Sequence, residues 1–140
     1  MLKGKTALIT GSTSGIGLAT AHVLGAQKIN LILHGLMSES DGEALAQEFI
    51  DKYGIKVMFD NADLKSEQAI AALMKKSLLT MGAVDILINN AGIQHTEAVD
   101  TFPSHKWHDI IAINLTAAFH LIQHTLPTMK QNKCGRVINI

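Results

Sequence analysis

Short runs of apolar and β-branched residues recur along this chain, separated by longer stretches of helical period, and that alternation leaves few folds open. Lys5–Thr10, Ile29–His34, Lys56–Phe59, Val84–Asn89 and Arg136–Ile140 read as strands; Gly15–Gln27, Asp41–Tyr53, Glu67–Met81 and His105–Lys130 read as helices. Strands joined through helices run parallel, with right-handed crossovers that place helices on both faces. Ile86-Leu87-Ile88 is apolar without interruption, as suits a strand covered on both sides. The expected architecture is α/β, a doubly wound parallel sheet in one domain over residues 1–140. Helix ends carry their own signals. Ser40 with Glu43 makes a capping box, Ser66 and Ser104 are candidate caps, and Gly54 and Gly82 are candidate stops. Pro127 is expected to kink or stop the fourth helix.

The first strand breaks into Gly11-Ser12-Thr13-Ser14-Gly15-Ile16-Gly17 and then turns helical. Such a junction can hold a phosphate without a basic side chain, because the helix offers unpaired N–H groups and its positive dipole end. Gly11 permits the turn out of the strand, Gly15 leaves no side chain between backbone and pyrophosphate, and Gly17 lets the first helical turn press close. In a parallel sheet, ligands bind at the carboxyl ends of strands where the strand order reverses. The third strand is followed by Asn61-Ala62-Asp63-Leu64 and the fourth by Asn90-Ala91-Gly92-Ile93-Gln94-His95. Short polar side chains there mark the other walls of a site.

Composition narrows the partners. Lys+Arg and Asp+Glu each number 12, so no net field steers the chain toward nucleic acid or an anionic membrane. Hydrophobic residues make up 47% of the chain, yet no window is long enough to span a bilayer and no signal-peptide layout opens it. One cysteine, Cys134, cannot pair internally, which fits a cytoplasmic setting. His120 and His124 stand one helical turn apart but lack a third ligand, so no metal site is expected.

The glycine loop together with Asn89-Asn90-Ala91-Gly92, Asp63 between them and Asn114 in the fourth helix resembles the short-chain dehydrogenase/reductase family, over Lys3 to Ile140. The resemblance implies a Rossmann-like sheet that binds NAD(P) and transfers hydride to or from a carbonyl carbon. It implies cofactor contacts from Gly11, Thr13, Ser14, Gly15, Ile16, Gly17, Gly35, Asp63, Leu64, Asn90, Ala91 and Gly92. Asp63 would meet the adenine amino group; as a plain turn-forming acid it would not. Asn90 and Gly92 would line the adenosine ribose, whereas Asn89 would tie neighbouring strands. Asn114 would join the catalytic set by holding a relay water through its main-chain carbonyl. Leu2–Leu8, Gly92-Ile93-Gln94-His95, Trp107 and Ile111–Leu115 are similar to the branch that interconverts D-3-hydroxybutyrate and acetoacetate, a small 3-hydroxy acid and its ketone. There Gln94 would hold the substrate carboxylate; otherwise it is an exposed loop residue. Other branches, acting on oxoacyl or sugar-alcohol substrates, and a non-catalytic nucleotide-binding or assembly fragment are the alternatives.

The choice of NAD over NADP follows from the second strand's end, Leu33-His34-Gly35-Leu36-Met37, which has no fixed cation for a 2′-phosphate. Ser12 stands where NADP-using relatives are expected to carry Arg or Lys, and Glu39 and Asp41 would oppose a phosphate further. A protonated His34 would tolerate one. The family's reaction also needs a Tyr, a Lys four residues later and a Ser. The one tyrosine, Tyr53, has Val57 four residues on and reads as structural. The chain is therefore expected to be a domain incomplete at its C-terminus, truncated after the fifth strand, inactive and at best a weak binder of dinucleotide. The fourth helix is apolar almost all round, with Trp107, Ile110, Phe119 and Leu121 among others, so it must be buried or face a partner. The family resemblance implies a homo-oligomer through this helix, a tetramer when complete.

Overall fold

The computed structural model describes residues 2–140. In chain order it contains β1 (Thr6–Ile9), α1 (Gly15–Ala26), β2 (Asn30–His34), α2 (Glu39–Tyr53), β3 (Val57–Asp60), α3 (Glu67–Met81) and β4 (Ile86–Asn89). These are followed by α4 (Ser104–Ile111), a π-helical turn (Ala112–Thr116), α5 (Ala117–Gln131) and β5 (Arg136–Asn139). All strand pairs are parallel, in the order β3-β2-β1-β4-β5. The chain therefore winds one way from β1 to β3, then crosses back to lay β4 on the other side of β1. That reversal opens a crevice beyond the carboxyl ends of β1 and β4.

Side chains alternate between two cores, one on each face of the sheet. Ala7, Ile9, Leu31, Leu33, Ile86 and Ile88 pack with Ala21 of α1 and Phe49 of α2. Leu8, Ile32, Met58 and Leu87 face the other way, against Ile70, Leu73 and Met74 of α3 and Leu121 and Met129 of α5. At the far end of the sheet from the crevice, buried Asp85 accepts the Thr6 N–H at 2.9 Å and pairs with Lys5 Nζ at 3.0 Å, pinning β1 to the start of β4.

The caps differ in part from the sequence reading. Ser66 accepts the Ala69 N–H at 3.1 Å, and Gly54 and Gly82 end α2 and α3 with φ of 61° and 83°. Ser38, not Ser40, caps α2: it is extended and its Oγ accepts the Asp41 N–H, so the helix begins earlier than the capping box implies. Ser104 is already helical and Pro103 holds the cap position. The long fourth helix is not continuous, because the π turn divides it; α5 then runs through Pro127 to Gln131 without ending there. Apolar residues continue across the break, from Ile110 and Ile111 through Ile113 and Leu115 to Phe119, so the pattern does not show it.

Candidate nucleotide site

β1 ends in a knot of hydrogen bonds that fixes the crevice. Thr10 Oγ1 accepts the N–H groups of Asn90 and Ala91, both at 3.0 Å, and donates to the Ile88 carbonyl at 3.4 Å. Asn90 returns the contact: its Nδ2 donates to the carbonyls of Thr10 and Gly11, at 3.0 and 3.1 Å. The Asn90 amide is thus turned onto the loop that it braces. A Cβ at Gly17 would lie 2.2 Å from the Gly11 carbonyl oxygen, so α1 can start here only with glycine at that position. Gly11 itself has φ +64° and backs onto Ala91.

The outer side of the loop is bare. Gly15 has φ +54°, and a Cβ there would meet nothing within 4 Å. Ser14, at the N-cap of α1, makes no side-chain capping bond, unlike Ser38 and Ser66 on their helices. Ser14, Gly15 and Ile16 are exposed. The first turn of α1 therefore directs its unpaired N–H groups into open space. A diphosphate would fit such a turn: its oxygens could accept those N–H groups, its charge would meet the helix dipole, and no side chain would intervene.

The inner side is pinned to β2. Ser12 is fully buried, its N–H donating to the His34 carbonyl at 2.8 Å and its Oγ accepting the His34 N–H at 2.9 Å. Ser12 therefore faces away from any ligand and does not report on cofactor choice, which corrects the reading of that position. Thr13 packs on Gly35, where a Cβ would come within 2.4 Å of the threonine hydroxyl. His34 is 3% exposed. Its Nδ1 accepts the Gly11 N–H at 3.2 Å and its Nε2–H donates to the Ala62 carbonyl at 2.9 Å, an arrangement open to the neutral imidazole alone. Burial pushes its pKa below the ordinary histidine value, outweighing the Ala62 bond and Asp60, which act the other way. His34 is a strut inside the site, not a cation facing it.

Asp63 forms the turn after β3. Its Oδ1 accepts the Lys65 N–H at 2.9 Å, and the residue is exposed at the rim of a cleft of about 230 Å³ shared with Gly11, Gly35, Leu64 and Gly92. Leu64 is buried between that cleft and the core. Asn89 Nδ2 donates to Asn139 Oδ1 at 2.8 Å, joining β4 to β5. Asn114 sits in the π turn and clamps the loop after β4 at one residue. Its Oδ1 accepts the Ile93 N–H and its Nδ2 donates to the Ile93 carbonyl, both at 2.9 Å. Gln94 follows Ile93 and is exposed. Asn114, Asn90 and Gly92 line a second cleft of about 450 Å³ on the β4 side. Tyr53 lies elsewhere, packed on Gly25 with its hydroxyl 2.9 Å from His22 Nδ1.

Residues 5–140 match the model of the short chain dehydrogenase family. The chain belongs to that family. Among similar short-chain dehydrogenases, the D-beta-hydroxybutyrate dehydrogenase of Cupriavidus necator is 48% identical over all of this chain and 54% of its own length. The enzyme of that name from Rhizobium meliloti is 40% identical over 97% of this chain and 53% of its own length. The chain thus spans about half the length of the curated relatives it matches. The solved L-sorbose reductase of Gluconobacter frateurii, complexed with NADPH and L-sorbose, superposes with a TM-score of 0.93 at 28% identity, over 99% of this chain and 52% of that one.

Two residues of this short-chain dehydrogenase site escaped the sequence reading. Thr10 reads only as the end of a strand, and His34 only as a residue that would tolerate a 2′-phosphate if protonated; neither reading includes the bonds that they make. A hydroxyl and an imidazole among apolar residues at strand ends were the available signals, but only strand order shows what they meet.

Proposed function

We propose that this chain carries the NAD-binding portion of an oxidoreductase that interconverts D-3-hydroxybutyrate and acetoacetate. The observation that carries the reading is the bare first turn of α1 at the reversal of strand order, beside a braced Asn90-Ala91-Gly92 turn. Gly11, Thr13, Ser14, Gly15, Ile16 and Gly17 would hold the diphosphate, Gly35, Asp63 and Leu64 the adenosine, and Asn90, Ala91 and Gly92 the ribose beside it. Bound NAD supplies the hydride acceptor for the carbon that bears the hydroxyl. Asn114 clamps Ile93 with its side chain and, as in the family's catalytic set, holds a relay water through its main-chain carbonyl. Gln94 donates from its neutral amide to the substrate carboxylate, leaving the protonation of neighbouring groups unchanged.

Cofactor choice rests on charge. Neither the glycine loop nor His34-Gly35-Leu36-Met37 carries a fixed cation, and the one titratable group among them is a buried imidazole held neutral. A 2′-phosphate with nearly two charges would go uncompensated, and Glu39 and Asp41 on the first turn of α2 would repel it. A second reading, a reductase of sugar substrates that uses NADPH, draws on the likeness to the L-sorbose reductase. The exposed Leu115 of the π turn and Phe119 and Leu126 of α5 support a homo-oligomer formed through this face, which the family likeness would make a tetramer at the relatives' full length; a single free thiol, Cys134, fits the cytoplasm. The deciding assay uses a polypeptide carrying these residues at the length of its relatives. Oxidation of D-3-hydroxybutyrate with NAD is expected; turnover confined to sugars, or to NADP, would overturn the assignment.

A further inference from the structure

We propose that His34 is a positioning residue of the dinucleotide site: its neutral imidazole holds the glycine loop to the Asp63 turn, and nucleotide binds only while it stays unprotonated. The inference rests on the dinucleotide reading above and goes beyond it, because it assigns a role to a buried residue to which that reading gives no contact with the nucleotide.

The geometry makes the imidazole a two-ended tie. One nitrogen takes the N–H of Gly11, where the loop begins, and the other gives its hydrogen to the carbonyl of Ala62, one residue before Asp63. The two segments flank the same cleft. Protonation puts a hydrogen on both nitrogens, so the Gly11 N–H then faces a donor instead of an acceptor. A buried N–H left unpaired is costly, and the cheapest relief is movement of the loop. Gly11 has a left-handed φ, and the α1 amides follow within a few residues, so a shift there misaligns the diphosphate cradle.

The charged surroundings of His34 are few. Asp60, its register partner on β3, favours the imidazolium but is paired with Lys76 of α3 at 3.4 Å. Asp63 is exposed on the turn, and Glu39 and Asp41 are exposed on the first turn of α2. Neither the glycine loop, β1 nor the Asn90-Ala91-Gly92 turn contributes a titratable side chain. Burial nevertheless keeps the neutral form favoured.

A simple charge argument gives the opposite sign, since an imidazolium near a diphosphate should attract it. The test exploits that opposition. NADH affinity is measured by fluorescence between about pH 5 and pH 8, on a polypeptide carrying these residues at the length of its relatives. NADH is the probe because it lacks the monoester phosphate that titrates near pH 6. Affinity is expected to fall by up to about tenfold per pH unit once the imidazole protonates. In His34→Gln, whose neutral amide offers an acceptor and a donor, that fall is expected to disappear. Affinity that is flat or rises on acidification, or an unchanged acid slope in His34→Gln, would overturn the inference while leaving the dinucleotide reading intact. Absence of NADH binding at every pH would overturn the dinucleotide reading itself. A measurement that needs no variant is long-range proton–nitrogen NMR of the histidines. His34 is expected as the Nε2–H tautomer at neutral pH, and the Nδ1–H tautomer or an imidazolium would overturn the inference.

Discussion

At the scale of single residues, Gly15 and Gly17 differ in the structure as their places in the loop imply. A methyl at Gly17 would collide with the Gly11 carbonyl, whereas one at Gly15 would enter open space with only its left-handed φ to strain it. Gly17→Ala is expected to cost about 3 kcal/mol by forced overpacking, and Gly15→Ala about 1 kcal/mol. Urea unfolding checks the order of the two. Gly15→Ala should instead weaken NADH binding, because its methyl stands where the phosphate comes. His34 adds a pH dependence to stability. Its folded pKa lies below the unfolded value of about 6.5, so the unfolded chain takes up protons first as pH falls. Its contribution is whole above that value and is lost as pH falls below it. Unfolding at a series of pH values, compared between wild type and His34→Gln, should show the difference shrink on acidification. The tight turn at Gly11, the close approach at Gly17 and the turn-forming side chain of Asp63 were legible because their chemistry is local. The burial of Ser12 and the two-ended bonding of His34 were not legible, because the direction of a side chain at a strand end depends on neighbours distant in sequence.

At the scale of elements, the serines that open helices separate two that cap from one whose hydroxyl makes no capping bond. Ser38 and Ser66 accept the N–H three residues on, while Ser14 accepts none. Ser38→Ala and Ser66→Ala should each cost about 1 kcal/mol, and Ser14→Ala should stay within about 0.5 kcal/mol. Thermal unfolding of the three variants tests this, and a large loss for Ser14→Ala would mean that it caps α1 after all. The π turn belongs to this scale too. It sets Asn114 against Ile93 with two hydrogen bonds, and Asn114→Ala should speed amide exchange from Ile93 to His95 while costing about 1–2 kcal/mol. Helix and strand identities were readable from period and breakers. The π turn was not, because apolar residues continue across it, from Ile110 and Ile111 through Ile113 and Leu115 to Phe119, and one inserted residue leaves no gap in them.

At the scale of the molecule, the alternation of strands and helices was enough to anticipate a parallel sheet with a helix layer on each face. The strand order β3-β2-β1-β4-β5 then places the glycine loop and the Asn90 turn side by side without any further assumption. The sheet also has an exposed side. β5 is an edge strand with Val137 and Ile138 open to solvent, and Phe119 and Leu126 of α5 are exposed as well. Edge strands and apolar patches of this kind promote association. The polypeptide of 140 residues is expected to self-associate in light scattering, and Phe119→Ser with Leu126→Gln to reduce it; a stable monomer in the parent chain would contradict that.

The central claim is that the amides opening α1 grip the diphosphate of a nicotinamide nucleotide. Hydrogen exchange with and without NADH, on a polypeptide carrying these residues at the length of its relatives, tests it most directly. Protection is expected at Thr13–Gly17, at Asp63-Leu64 and at Asn90–Gly92. Exchange unchanged at Thr13–Gly17 while NADH is bound elsewhere, or no binding of NADH at all, would contradict it.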